Sequence, residues 1–212
     1  LFFSLSAGAQ SLQQARLLTL NQQYDAASGV LKQLIAKNPA KGDYWYYLGR
    51  NVLEAEKTDS AKSMFILGVQ NEPGNPLNFV GLGTVAKING SADESAQMFD
   101  KALKMAAGKN AEVLVRIAET HITLEKKNLP AAFTLLDEAE KIEPRNPEIQ
   151  ILKGDAFLEN NDGSNAIKFY EKAQMLDPKS PLAKLRIGQL WMRARNFSGK
   201  DGSMGALEYY QE

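Results

Sequence analysis

The 212-residue sequence predicts an all-α stack of helix–turn–helix repeats. Three observations carry this. A small residue followed four positions later by a large apolar one recurs along the chain, at Ala27/Leu31, Ala61/Phe65, Ser95/Phe99, Ala132/Leu136, Ala166/Tyr170 and Ala206/Tyr210. The large residues are spaced 34, 34, 37, 34 and 40 apart, so three of the five intervals are equal. Eight residues after each large residue come Pro39, Pro73, Ala107, Pro144 and Pro178, four of them helix-stopping prolines. No run alternates apolar and polar residues between turn signals, as a strand would.

The stretch from Gly42 to Asn75 shows the unit most completely. Trp45, Leu48 and Val52 fall on one face of a first helix. Gly49 is small enough for a second helix to approach, and Ala61 with Phe65 supplies the other side of that contact. Pro73 closes the unit. Trp45-x2-Leu48-Gly49, Ala61-x3-Phe65 and Pro73 together resemble the tetratricopeptide repeat (TPR) pattern, with Val52 in place of its tyrosine. The resemblance covers about residues 11–212. It implies a right-handed superhelix of five to six repeats, at about 11–40, 42–75, 76–110, 111–146, 147–180 and 181–212.

The units differ in detail. Repeat 1 places Ala15 at the small position of LQQARLLTL, and Tyr24-Asp25 turns into its second helix. Repeat 3 keeps Phe79-x2-Leu82-Gly83, but Ala107 replaces its closing proline, so the three extra residues are expected in the AAGKN linker or the next turn. Repeat 4 carries Leu114-x2-Ile117-Ala118, and Pro130 suits the first turn of its second helix. In repeat 5, Gln150 and Lys153 stand where apolar residues belong, which predicts a register shift towards Ile151 and Leu152. Repeat 6 has Ile187-Gly188 and Trp191, then a long glycine-rich turn and the short ALEYYQE. No polar capping helix follows, so a longer natural chain is expected.

Composition narrows the function. Lys+Arg and Asp+Glu both number 25, which offers no overall charge for nucleic acid or an anionic membrane. There is no cysteine, which excludes disulfides, thiolate metal sites and a cysteine nucleophile. No apolar run reaches the length of about 20 residues that a membrane span needs. Residues 1–9 combine the apolar LFFSL with Ala7-Gly8-Ala9, the form of a signal-peptide end before a cleavage box. Cleavage there would leave Gln10 first and implies export to a periplasm or cell envelope. A glutamine directly after that box resembles exported proteins of the Bacteroidota.

No residue set points to catalysis. His121 is the only histidine, and Glu119 and Glu125 beside it do not make a triad. Asn160–Asn165 resembles a fragment of a calcium loop, but its oxygen ligands do not alternate and position 169 is Phe, so a helix–helix turn is expected. Gly81-Leu82-Gly83 follows no strand and serves close packing rather than phosphate binding. The expectation is therefore a non-enzyme that needs no cofactor. Two other readings stay open: an accessory domain of a larger enzyme or envelope-anchored protein, and self-association through the incomplete last repeat.

What the resemblance implies about binding is a concave groove lined by the first helices. Its ninth positions fall at Arg16, Arg50, Thr84, Glu119, Asp155 and Gln189. Its fifth include Tyr46, Val80, Val115, Ile151 and Leu185, and its thirteenth Glu54, Ile88, Thr123, Glu159 and Arg193. No ninth position is Asn, which argues against the carboxylate clamp that grips chaperone tails. Within Tyr44–Tyr47, Trp45 is expected in the core, while Tyr44 and Tyr46 face elsewhere and suit partner contact. Charge is uneven. Residues 8–41 carry a net +3 and residues 111–178 a net −5. The Asp137-Glu138-Ala139-Glu140 run reads as a solvated face. Glu119, Asp155 and Glu159 map to the groove, where three mutually repelling carboxylates would attract a basic segment flanked by Val115, Ile151 and Leu158. Arg16 and Arg50 would face an acidic or polar part of the same protein or peptide partner.

Overall fold

A computed structural model describes residues 11–197, as two compact units divided in the chain between Ala107 and Gly108. The first unit holds α1 (Leu12–Leu20), α2 (Tyr24–Lys37), α3 (Gly42–Glu54), α4 (Thr58–Asn71), α5 (Pro76–Ile88) and α6 (Ala92–Ala106). The second holds α7 (Ala111–Thr123), α8 (Leu129–Ile142), α9 (Pro147–Glu159), α10 (Gly163–Leu176) and α11 (Pro181–Phe197). The described residues contain no strand.

The 34-residue period has a simple anatomy. A 13-residue first helix, a three-residue turn, a 14-residue second helix and a four-residue loop fill it in repeats 2 and 5. The three extra residues after Phe99 are divided. One lengthens α6 to 15 residues, two lengthen the turn after α7 to residues 124–128, and the loop at 107–110 keeps four. Three of the loops end alike: Asn75, Asn110 and Asn146 cap the next first helix with a side-chain oxygen that accepts from a backbone N–H. Pro76 and Pro147 follow at the first helical position, where no N–H is missed. Where the closing proline is absent, Ala107 and Gly108 turn through the left-handed region, at φ 48° and 68°.

The small/large pairs form the core, and all five described pairs are buried. The sixth, Ala206/Tyr210, lies outside the described residues. Each large ring needs a glycine opposite it. Phe65 sits between Gly49 of its own repeat and Gly81 of the next: a Cβ added at Gly49 would lie 2.5 Å from the ring, and one at Gly81 2.4 Å. Gly83 takes Phe99 in the same way, and Gly154 takes Tyr170.

Three expectations change. Trp45 is only half-buried and donates its indole N–H to the Pro39 carbonyl at 2.8 Å, at the start of the helix rather than in the core. The core position beside it belongs to Tyr46, whose ring packs on Tyr47 and Phe65 with centroids 5.1 and 5.9 Å away. α9 does not shift register. Gly154 keeps its place against Tyr170, and both Gln150 and Lys153 are buried. They are tolerated because α8 supplies acceptors for their nitrogens: Lys153 Nζ lies 2.5 Å from both Asp137 Oδ1 and Glu140 Oε2, and Gln150 Nε2 donates to Glu140 Oε1 at 2.9 Å. Asp137 and Glu140 are thus held by buried partners instead of forming a merely solvated face.

Candidate functional site

The first helices carry the candidate site, and each unit is described by itself. In the first unit α3 packs beside α1 and α5. The fifth-position residues of this unit do not reach solvent, whereas Leu185 of α11 is 40% exposed. Tyr46 is 4% exposed and Val80 1% exposed. Tyr46 is therefore a core ring and not an exposed contact for a partner. The ninth-position residues Arg16, Arg50 and Thr84 are half-buried, and Glu54 is exposed. Arg16 spreads its guanidinium over the buried Tyr47 ring, 4.9 Å from the centroid, which covers part of the cation's face. Thr84 donates its hydroxyl to the Val80 carbonyl of its own helix at 3.0 Å. Asn51 ties the first two repeats together from inside, donating to the Tyr24 carbonyl and Ser28 Oγ and accepting from Thr19 Oγ1.

Two exposed apolar side chains, Leu20 and Ile88, occupy thirteenth positions on either side of Glu54. Leu20 was legible by counting 34 residues back from Glu54, but α1 is too short to show its own end in the pattern. Glu54 also borders an open depression of about 570 Å³ together with Tyr24, Asp25, Glu56 and Lys57.

The second unit overturns the expected repulsion between Glu119, Asp155 and Glu159, because each already faces a cation of the chain. Arg116, with only 2% of its side chain exposed, pairs with Glu119 at 2.6 Å, with Glu112 at 3.7 Å and closely with Glu148 of α9. Arg186 of α11 places Nε 2.9 Å from Asp155 Oδ1, and the Tyr170 hydroxyl donates to the same oxygen at 2.7 Å. Lys127, from the long turn, lies 2.9 Å from Glu159. Burial raises the Asp155 carboxyl above its ordinary value, opposed by Arg186 and by the Tyr170 hydrogen bond. The Tyr170 hydroxyl is pushed up by burial and by the adjacent Asp155. The expected apolar flanks fail as well. Val115 and Ile151 are buried, and Leu158 packs on the core around Tyr170 and Ile187.

On the other face of α9, Glu140 is held down at about 2 by hydrogen bonds from Lys153 and Lys172. Burial alone would lower Lys153, but Asp137 and Glu140 outweigh it and raise it. The sign for Glu140 follows from its depressed value. Its pairing contributes fully above the ordinary value of 4.5 and is lost as pH falls from there towards 2. Thermal melts between pH 5 and pH 2 should therefore fall less steeply for Glu140→Gln than for the parent. Parallel curves would show that the pairing adds nothing to stability.

Two other predicted features lie on α7 and at the start of α10. His121 is half-buried on α7, and its backbone carbonyl accepts from Asn128 N–H at 3.0 Å in the long turn. Asp162 caps α10, accepting from the backbone and side-chain amides of Asn165 at 3.0 and 2.7 Å. Among the described residues no group of three or more His, Asp or Glu is placed to hold a metal ion. No helix among them is long and apolar enough to cross a membrane.

Family patterns described as tetratricopeptide repeat match residues 12–65 and 123–185, together more than half of the chain. This chain belongs to the tetratricopeptide repeat family. Solved structures share the fold. A thermophilic TPR protein of Thermus thermophilus aligns with a TM-score of 0.67 at 19% identity, over 85% of this chain and 97% of that one. A TPR protein of Parabacteroides merdae gives 0.62 at 17%, over 85% and 69%. The pilF protein of Pseudomonas aeruginosa gives 0.58 at 21%, over 83% and 76%. No curated protein matches the sequence. TPR proteins are in general non-catalytic scaffolds that bind proteins or peptides.

Proposed function

We propose that this TPR chain binds a protein or peptide segment on the faces of its first helices and acts in the periplasm or envelope of a Gram-negative bacterium. One observation carries the binding reading. Four fifth-position side chains, Tyr46, Val80, Val115 and Ile151, are buried, while the ninth- and thirteenth-position side chains beside them keep access to solvent. The rows that stay open are mostly polar, with Leu20 and Ile88 as apolar members, and differ from repeat to repeat, which suits a recognition surface. In the first unit, Arg16 and Arg50 suit acidic or polar groups, and Leu20 and Ile88 offer apolar purchase nearby. In the second, Glu119 and Glu159 retain partial exposure and suit basic groups, in competition with the chain's own cations. Export rests on LFFSL followed by Ala7-Gly8-Ala9.

One experiment addresses both points. The protein is purified from the envelope fraction of its native host, and its partner and its N-terminus are read by mass spectrometry. A mature N-terminus at Gln10 is expected, with a partner that Arg16→Glu/Arg50→Glu loses by at least about tenfold in affinity, since reversing charges creates repulsion where attraction stood. Retained residues 1–9 would remove the export reading. A partner bound equally by the variant would remove the first-helix face of the first unit as the site.

A further inference from the structure

The joint between repeats 2 and 3 is built differently from the joints of the second unit. Three residues after the large core residue stands a second small one, and ten residues further a side chain in the first turn of the next first helix. In repeats 4 and 5 these are Ala139 and Ile149, and in repeats 5 and 6 Ala173 and Ala183, all apolar and fully buried. In repeats 2 and 3 they are Gly68 and Asn78, and Asn78 is fully buried as well. Its Nδ2 donates to the Gly42 carbonyl at the start of α3, at 3.0 Å. Its Oδ1 meets no N–H or O–H donor among the described residues and lies against Gly68 of α4, whose Cα–H is the weak donor left to it. The reverse amide orientation would set two oxygens face to face. Both glycines fit this side chain. A Cβ added at Gly68 would collide with the amide oxygen, and one at Gly42 would lie 3.0 Å from Nδ2. Around the rim, Glu72 accepts the Gly42 N–H and Asn75 donates to Asp43, both at 2.6 Å, but these bonds are only partly buried.

We propose that Asn78 is a positioning residue for the candidate binding face of the first unit: it pins the start of α5 to the start of α3 and so fixes the direction of one first helix against the next. The inference rests on the reading of the first-helix faces as the binding surface. The Phe65 ring between Gly49 and Gly81 resists separation of the helices, but an apolar contact has no preferred direction and leaves α5 free to pivot on it. A buried hydrogen bond is directional and supplies the second fixed point. Glu54 and Ile88, at the far ends of α3 and α5, thereby keep one spacing. A buried amide whose oxygen lacks a full donor costs stability relative to an apolar pair. In return it excludes the alternative packings that such a pair tolerates.

Two measurements test this without a partner. In thermal melts Gly68→Ala should lower the melting temperature by at least about 4 °C, because the added methyl group meets a fixed amide. Adding Asn78→Ile, which reproduces the Ala139/Ile149 joint, should recover that loss, a strong departure from additivity. Equal melting of Gly68→Ala and parent, or a double variant no more stable than Gly68→Ala alone, would overturn the fit of amide to glycine. For the spacing, nitroxide labels are attached through Glu54→Cys and Ile88→Cys in this cysteine-free chain and read by pulsed electron paramagnetic resonance. The labelled parent should give one narrow distance. The labelled Gly68→Ala/Asn78→Ile protein should give a broader or displaced one at equal or higher stability. The same narrow distance in both would overturn the positioning role of Asn78 while leaving the first-helix face as a binding surface.

Discussion

Gly49→Leu should lower the melting temperature of the protein by roughly 6–12 °C, followed by far-ultraviolet circular dichroism. Phe65 is 1% exposed, and its ring is gripped between the backbones of α3 and α5 at Gly49 and Gly81. A Cβ at Gly49 would come within 2.5 Å of a ring atom. The ring cannot retreat towards α5, because a shift that way closes the equally tight contact with Gly81. Overpacking of a core typically costs about 1–3 kcal/mol, and a ring fixed on both sides belongs at the upper end. For a chain of this size each kcal/mol corresponds to about 2–4 °C. Gly29→Ala is the matched control. It lies on the exposed face of α2 with nothing within 4 Å of an added Cβ. There alanine should be neutral or stabilising by up to about 1 kcal/mol, because it restricts the unfolded chain. If Gly49→Leu melted with the parent, close packing of the two first helices on Phe65 would not be what holds repeats 2 and 3 together.

Arg116→Met should cost about 3 kcal/mol in urea denaturation. Methionine fills much of the same volume, so the loss is electrostatic. The guanidinium is nearly inaccessible, and Glu112, Glu119 and Glu148 converge on it from two first helices. Removing one partner of a buried ion pair typically costs about 3–5 kcal/mol, because the other charge is left unmatched. The low end applies because these carboxylates are 24–34% exposed and can draw on water when the arginine is gone. Arg116→Lys should fall between parent and Arg116→Met: it restores the charge but not the planar fork that reaches several acceptors at once. Adding Glu119→Gln and Glu148→Gln to Arg116→Met should recover part of the loss, since the repulsion goes with the charges. A stable single variant would mean that the cluster has no part in joining repeats 4 and 5.

The sequence by itself determined the period, the small/large pairs and the glycines opposite them. These follow from a local rule. Two helices joined by a three-residue turn can pack closely only where a small residue on one meets a large residue on the other, and that requirement repeats at fixed spacing. It is visible in Ala61, Phe65 and Gly49 without knowledge of any other repeat.

The tertiary structure alone decided which polar residues are buried and which charges are free. Gln150 and Lys153 look like misplaced surface residues until Asp137 and Glu140 of α8 are brought against them. Tyr46 takes the buried place expected of Trp45 because its ring packs on Tyr47 and Phe65, while Trp45 stays half-buried at the helix start. Counting charges along residues 111–178 found the carboxylates Glu119, Asp155 and Glu159 but not their neutralisation. Arg186 is 31 residues from Asp155 and Lys127 is 32 from Glu159, close to one repeat period away. A charge is matched or unmatched according to what lies within a few ångströms of it; for Asp155 and Glu159 those neighbours come from an adjacent repeat, while Arg116 stands three residues before Glu119 on the same helix.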